Sequence, residues 1–180
     1  MRIISGRYKG RAIKAPKAIR PTQGRVREAL FDILGDIEGL SFLELFAGSG
    51  AVGFEALSRG ASELALVESN HDCLAAIRNN IESLKIKACN LYPREAESAL
   101  AALHKEERKF DIIFLDPPYY KGMSKKILQA LGHYDILNQY GLIVVQHFKK
   151  DVLPEASGGL TLFRQNRYGD TVLSFYRRRG

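Results

Sequence analysis

The sequence predicts an α/β fold in which a mostly parallel sheet is covered by helices on both faces and closed by an antiparallel hairpin. Three observations carry this reading. Short apolar runs alternate with segments of helical spacing between residues 42 and 148. A glycine turn, Gly48-Ser49-Gly50, follows the first of these runs and opens the next helix. The last two β-prone runs are separated only by Tyr168-Gly169-Asp170, a hairpin spacing.

The elements follow in order. Residues 2–5 and 9–14 are β-prone runs joined at Gly6-Arg7-Tyr8, a short N-terminal hairpin. Thr22 is placed to cap a helix whose Val26, Ala29, Leu30, Ile33 and Leu34 share one face, and Gly35 stops it. Phe42–Phe46 reads as the first core strand, Ala51–Ser58 as a helix ending at Gly60, and Leu64–Glu68 as the second strand. Asp72–Leu84 carries Leu74, Ile77, Ile81 and Leu84 at helical spacing. A strand over Ala88–Tyr92, a helix over Ala96–Leu103 and a strongly apolar strand over Phe110–Leu115 come next. Ser124–Leu131 is a helix, Leu142–Phe148 a strand, and Leu160–Arg167 with Thr171–Arg177 the closing hairpin. A seven-stranded sheet is expected, in one domain of residues 1–180, with residues 1–35 as a basic extension on a core of 36–180. This is the arrangement of Rossmann-like methyltransferases, whose ligands lie beyond the carboxyl ends of the strands.

Composition limits the function. A chain of 180 residues with 46% hydrophobic and 26% charged residues suits one globular core. No apolar run is long enough to span a membrane, and the basic N-terminus has no apolar segment of a signal peptide behind it. Cys73 and Cys89 have no ligand spacing, and His71, His104, His133 and His147 are scattered, so a cytoplasmic protein with reduced thiols and no metal is expected. The net charge of +7 is uneven: residues 1–27 hold nine basic residues and no acid, while the remainder nets to −2. The basic block also contains Ile3, Ile4, Tyr8, Ile13 and Pro16, so it reads as folded rather than as a loose tail. Its Arg7, Lys9, Arg11, Arg20, Arg25 and Arg27 are candidates for nucleic-acid phosphates, since such contacts release counterions.

Two motifs carry chemistry. The first is Glu44-Leu45-Phe46-Ala47-Gly48-Ser49-Gly50-Ala51-Val52-Gly53. Glycines at 48 and 50 let backbone turn tightly beside a ligand, and the helix start supplies free N–H groups. Glu68 ends the second strand, where a carboxylate accepts ribose hydroxyls. An adenosine-type ligand fits both features. Glu44 just before the loop repels a pyrophosphate but suits the amino end and sulfonium of S-adenosylmethionine, so this donor is favoured over NAD.

The second motif is Asp116-Pro117-Pro118-Tyr119, directly after the strand over Phe110–Leu115. Two prolines fix φ and remove two donors, which leaves carbonyls in need of an N–H. An exocyclic base amine is such a donor. It is also a weak nucleophile, because its lone pair is delocalised into the ring. The Asp116 carboxylate and Pro117 carbonyl can each accept one N–H, hold the nitrogen and aim its lone pair at a methyl carbon. Tyr119 can stack on a base drawn from its helix or already unpaired.

On these residues the chain resembles the bacterial 16S ribosomal RNA guanine-N2 methyltransferase family, within the amino-methyltransferases that carry the motif at 116–119. The likeness runs along essentially the whole chain. It includes Arg2-Ile3-Ile4-Ser5-Gly6, Arg25-Val26-Arg27-Glu28-Ala29-Leu30-Phe31, Leu45-Phe46-Ala47-Gly48-Ser49-Gly50, Glu55-Ala56-Leu57-Ser58-Arg59-Gly60-Ala61 and Tyr168-Gly169-Asp170-Thr171. It implies methylation of N2 of one guanine in 16S rRNA, on a partly assembled or complete 30S subunit, by a monomer. It also implies that Phe46, Ala47, Gly48, Ser49 and Gly50 cradle the methionine part of the donor. Glu68, with Ser69 and Asn70, would meet the ribose side, and Glu95 with Ala96 the adenine. The chain departs from the family pattern at three positions: Glu44 and Glu95 replace the usual Asp, and Gln146 stands where Glu is common.

Rival readings share some of these features. A DNA adenine-N6 or cytosine-N4 amino-methyltransferase has both motifs, but no target-recognition domain is visible in this sequence. A non-catalytic nucleic-acid-binding module would not need Asp116, Pro117, Pro118 and Tyr119. An NAD-dependent enzyme leaves that loop unexplained.

Overall fold

In the computed structural model, residues 1–16, 24–118 and 122–179 are described. Strands β1 (Ser41–Leu45), β2 (Glu63–Glu68), β3 (Cys89–Pro93), β4 (Phe110–Leu115), β5 (Leu137–Phe148), β6 (Ala156–Ser157), β7 (Leu160–Tyr168) and β8 (Thr171–Arg178) form one sheet in the order β3-β2-β1-β4-β5-β8-β7-β6. The first five are parallel, and β8 returns antiparallel to β5 and hairpins with β7. The sheet has eight strands, so the expected seven is corrected. The addition is β6, whose two residues are too few for any alternation to show. Strand β5 also begins earlier than expected, at Leu137, because a register shift between Phe110 and Ile112 lets residues before Gly141 pair with β4.

Helices α1 (Gly24–Leu34), α2 (Ala51–Ser58), α3 (His71–Leu84), α4 (Ala96–Lys105) and α5 (Met123–His133) cover the sheet. Strand residues alternate between two apolar cores, as a parallel sheet buried on both faces requires. Phe42, Ile112, Phe114 and Val144 pack with Val26, Leu30, Phe31, Phe54 and Ile77 on one face. Leu43, Leu45, Ile113, Leu115 and Val145 pack with Leu100, Leu103, Ile127, Leu128 and Tyr176 on the other. Each fully buried large side chain contributes about 2 kcal/mol, which fixes strand register and so the heights at which the strand ends present their loops.

The N-terminal segment pairs as the expected hairpin near its open end and then docks on α2. Only Arg2 and Ala12 form a β-bridge, although the ladder bonds Ile3 N–H to Arg11 O and Ile13 N–H to Met1 O are present. Beyond Ile3 the chain turns onto α2, which takes the next N–H donors. Glu55, completely buried, accepts the Ile4 and Ser5 N–H groups at 2.8 and 3.0 Å. Ser58 accepts Arg7 N–H on its carbonyl at 2.7 Å and Tyr8 N–H on its hydroxyl at 2.8 Å. Gly6 sits at φ +78°, and a Cβ there would lie 1.7 Å from the Ser58 carbonyl oxygen, so the docking requires glycine. The expected Thr22 cap lies outside the described residues.

Candidate active site

The two sequence motifs meet where the strand order reverses, between β1 and β4, which is where open α/β sheets bind ligands. The loop after β1 is tightly specified. Phe46, Gly48 and Gly50 have φ of 58°, 56° and 74°. A positive φ at a phenylalanine is an unfavourable backbone state that surrounding structure must hold in place. Ala47 N–H bonds to Val67 O at 3.0 Å and Gly50 N–H to Ala47 O at 2.7 Å, and these bonds do the holding. A Cβ on Gly50 would lie 2.7 Å from the Phe54 ring, so both space and φ select glycine.

Glu44 sits beneath this loop rather than at its surface. It is buried, and its Oε2 accepts Gly53 N–H at 2.8 Å, supplying the start of α2 with the acceptor that Gly50 cannot offer. Burial pushes its carboxyl up to about 8. The Gly53 and Val52 N–H groups pull the other way, and the charges of Asp116 and Glu68 add to the rise.

Glu68 ends β2 half-buried. One oxygen accepts Gly48 N–H at 2.7 Å, and the other accepts Ser69 and Asn70 N–H at 2.8 Å each. Asn70 caps α3, its side chain accepting from Asp72 and Cys73. Glu95 is exposed at the start of α4 with no side-chain cap bond, and Ala96 behind it is buried. The expected binding residues thus lie along adjacent carboxyl ends of β1, β2 and β3.

Asp116 leaves β4 half-buried, Pro117 is buried and Pro118 is exposed. Asp116 Oδ2 accepts a hydrogen bond from Gln146 Nε2 at 2.6 Å. Tyr119 lies outside the described residues. Beside Pro118 a cavity of about 280 Å³ opens, lined by Met123, Ser124, Lys125, Lys150 and Leu153 among others.

The basic residues separate into two groups. Arg7, Lys9, Arg11 and Arg25 are exposed, with Arg11 also donating to Ser83 O. Arg27 is a correction. It is 2% exposed, donates to Arg2 O at 2.7 Å and lies 3.6 Å from Glu55, so it neutralises a buried carboxylate instead of facing a phosphate. Arg20 lies outside the described residues.

Two residues near the site lie outside the two motifs, although Gln146 is one of the three positions that depart from the family pattern. Gln146 reaches Asp116 from the neighbouring strand, a contact that depends on β4–β5 register. Asn80 is fully buried and bonds to both Lys14 and Ser49. A signal for Asn80 existed: it interrupts the apolar face of Ile77, Ile81 and Leu84.

Comparison with known proteins decides the family. The family model described as conserved hypothetical protein 95 matches residues 1–177. This chain belongs to that family. Among its relatives is YlbH of Bacillus subtilis (strain 168), provisionally named an rRNA methyltransferase, 39% identical over the whole of both chains. The ribosomal RNA small subunit methyltransferase D of Escherichia coli (strain K12) is 33% identical over 99% of this chain and 90% of its own. The structure titled provisionally as methyltransferase yhhF from Escherichia coli superposes with a TM-score of 0.87 at 32% identity, covering 99% of this chain and 97% of that one. The family's fold is therefore the one seen here, a Rossmann-like methyltransferase sheet. Among the described residues no three His, Cys, Asp or Glu side chains gather as a metal site, and no helix is long and apolar enough to cross a membrane.

Proposed function

We propose that this chain methylates the exocyclic N2 of a guanine in 16S rRNA, with S-adenosylmethionine as donor. The observation that carries the reading is the placement of Asp116 and Pro117 directly across the switch point from the glycine loop. The name of the small-subunit relative supports the substrate.

The residues present fit the donor. Its parts differ in what they need: acceptors for ribose hydroxyls and ammonium, and close backbone for the methionine arm. The turn at Gly48 and Gly50, then Glu68, then the Glu95–Ala96 start of α4 stand in that order along one edge of the sheet. S-adenosylmethionine, when bound, supplies a methyl carbon on a positively charged sulfur. The protein does the rest. The Asp116 carboxylate and Pro117 carbonyl accept the two amino hydrogens, draw the nitrogen lone pair out of conjugation and fix its direction. After methylation the nitrogen has become acidic and gives its proton to solvent water, so Asp116 need not be a strong base. The cavity beside Pro118 offers room for the base or its neighbour, with Lys125 and Lys150 at its rim for phosphate.

The exposed Arg7, Lys9, Arg11 and Arg25 are assigned to the RNA backbone. The segment that bears Arg7, Lys9 and Arg11 is held by Glu55, Ser58 and Asn80, so it presents charge from a fixed surface. Transfer of tritiated methyl groups to 30S particles, naked 16S rRNA and duplex DNA tests the whole reading. Label in the small-subunit RNA, recovered as N2-methylguanosine, is expected; label confined to DNA overturns it.

A further inference from the structure

Asp116 accepts an amine hydrogen most strongly as a carboxylate, so what favours that form matters. Its acidic neighbours work against that state. Glu44 from β1 lies within electrostatic reach of it, and Glu68 from β2 lies beyond Glu44. The facing strand β5 supplies a neutral donor. Val145 pairs with Leu115, so the next residue, Gln146, stands beside Asp116 and on the same face as Val144 and Phe114. Its partner across the sheet, Leu173 of β8, is apolar and buried.

Gln146 is 4% exposed, and its Nε2 donates to Asp116 Oδ2 at 2.6 Å. Its Oε1 is buried and has no hydrogen-bond partner among the described residues. Burying an amide oxygen without a donor is unfavourable. The fold accepts this where the other end of the same amide holds the reactive carboxylate. A glutamine turned the other way would set two acceptors against each other, so the orientation is fixed by Asp116.

We propose that Gln146 is a positioning residue for methyl transfer, its amide holding Asp116 in one rotamer and in the ionised state. The proposal rests on the assignment of Asp116 to the reaction. A glutamate at this place would put two carboxyl groups within hydrogen-bond distance. One of them would then retain a proton to higher pH. The glutamine of this chain therefore extends activity to lower pH.

Three variants test it: Gln146→Glu, Gln146→Leu and, to keep volume if either fails to fold, Gln146→Met. The acid limb of kcat/KM for methyl transfer to 16S rRNA is expected to move up by about one pH unit or more in Gln146→Glu. Gln146→Leu and Gln146→Met are expected to lose kcat about 10- to 100-fold with cofactor affinity unchanged. A readout independent of turnover accompanies this, the carbon-13 NMR titration of the Asp116 carboxyl, which should shift to higher pH in all three. Unshifted carboxyl titrations would overturn the role of Gln146 even if RNA is methylated. Shifted titrations in a protein that methylates no RNA would uphold Gln146 and reject the RNA assignment. A lowered melting temperature with unaltered pH profile and titration would reduce Gln146 to a packing residue.

Discussion

The side-chain nitrogen of Asn80 donates to the carbonyl of Lys14 at 2.9 Å and to that of Ser49 at 3.1 Å, so one buried amide joins the basic N-terminal segment to the glycine loop. Its oxygen accepts Lys14 N–H at 2.9 Å. Leucine at this place would match the apolar face of α3 but strand three backbone groups. Asn80→Leu is expected to lose about 3 kcal/mol of stability, since each buried group left without a partner costs about 1–3 kcal/mol. Urea unfolding measures it, and an unchanged midpoint would mean that these bonds contribute nothing net.

Basic residues of the N-terminal region are expected to divide by burial. Neutralising Arg7, Lys9, Arg11 and Arg25 together should weaken RNA binding and flatten its dependence on salt, with little change in stability. Arg27→Met should do the opposite. It removes a buried cation from Glu55, which keeps Arg59 at 2.9 Å and the Ile4 and Ser5 N–H groups. A loss of about 3 kcal/mol is expected, the low end for breaking a buried pair, with an unaltered salt slope in what remains folded. Filter binding across salt concentrations and thermal melts separate the two; a flattened slope in Arg27→Met alone would reverse the assignment.

That division could not be read from charge alone, because Arg25 and Arg27 are two residues apart on α1 and differ only in which side of the helix meets Glu55. Much else was legible. Period and punctuation placed α2 and β4 at their observed bounds, since apolar runs ending in Gly or in Pro117 leave few alternatives. The glycine loop and Asp116 declared themselves by residue type at the ends of strands. Contacts between strands did not. Gln146 reaches Asp116 only once β5 lies beside β4, and the two-residue β6 exists only because β7 is there to pair with it. The N-terminal hairpin was legible in its pairing, through Ile3, Gly10 and Ile13 N–H, but not in its docking, because Ile4, Ser5 and Tyr8 N–H go to Glu55 and Ser58, some fifty residues away.

Asp116→Ala is expected to abolish methyl transfer while leaving the affinity for S-adenosylmethionine within about threefold, because the proposed function sets Asp116 against the amine and the donor against the ends of β1, β2 and β3. Calorimetric titration with the donor and a single-turnover transfer assay give the two numbers. A fully active variant would remove Asp116 from the reaction.

His147 gives the protein an acid-side weakness. It is buried, with Nδ1 3.0 Å from Phe148 O and Nε2 2.7 Å from Ser174 Oγ, which also accepts from Gln165 at 2.8 Å. A neutral ring that donates from Nδ1 and accepts at Nε2 satisfies all three contacts. Burial lowers its pKa from the usual 6.5, opposed by the Phe148 carbonyl and Asp151. The unfolded chain therefore binds the proton first, and stability from this group is present above about pH 6.5 and lost as pH falls through the lowered folded value. His147→Gln should narrow the gap in urea midpoint between pH 7 and pH 5. A gap as wide as that of the wild type would place the acid sensitivity elsewhere.

Glu44 acts in the other direction. Its folded pKa of about 8 lies above the ordinary 4.5, so the folded protein holds this proton more tightly than the unfolded chain. Stability from this group is complete below about pH 4.5 and declines as pH rises to 8. Glu44→Gln keeps an oxygen for Gly53 N–H and has no proton to lose. It should flatten the fall in stability between pH 6 and pH 8.5 seen in the wild type. Under the proposed function the donor brings a sulfonium and an ammonium to the loop above this carboxyl. Positive charge there favours the ionised form, so binding should release part of a proton near pH 7.5. Calorimetry in two buffers of different ionisation enthalpy reads that release directly, and it should vanish in Glu44→Gln. Equal enthalpies in both buffers for the wild type would show that Glu44 does not sense the ligand.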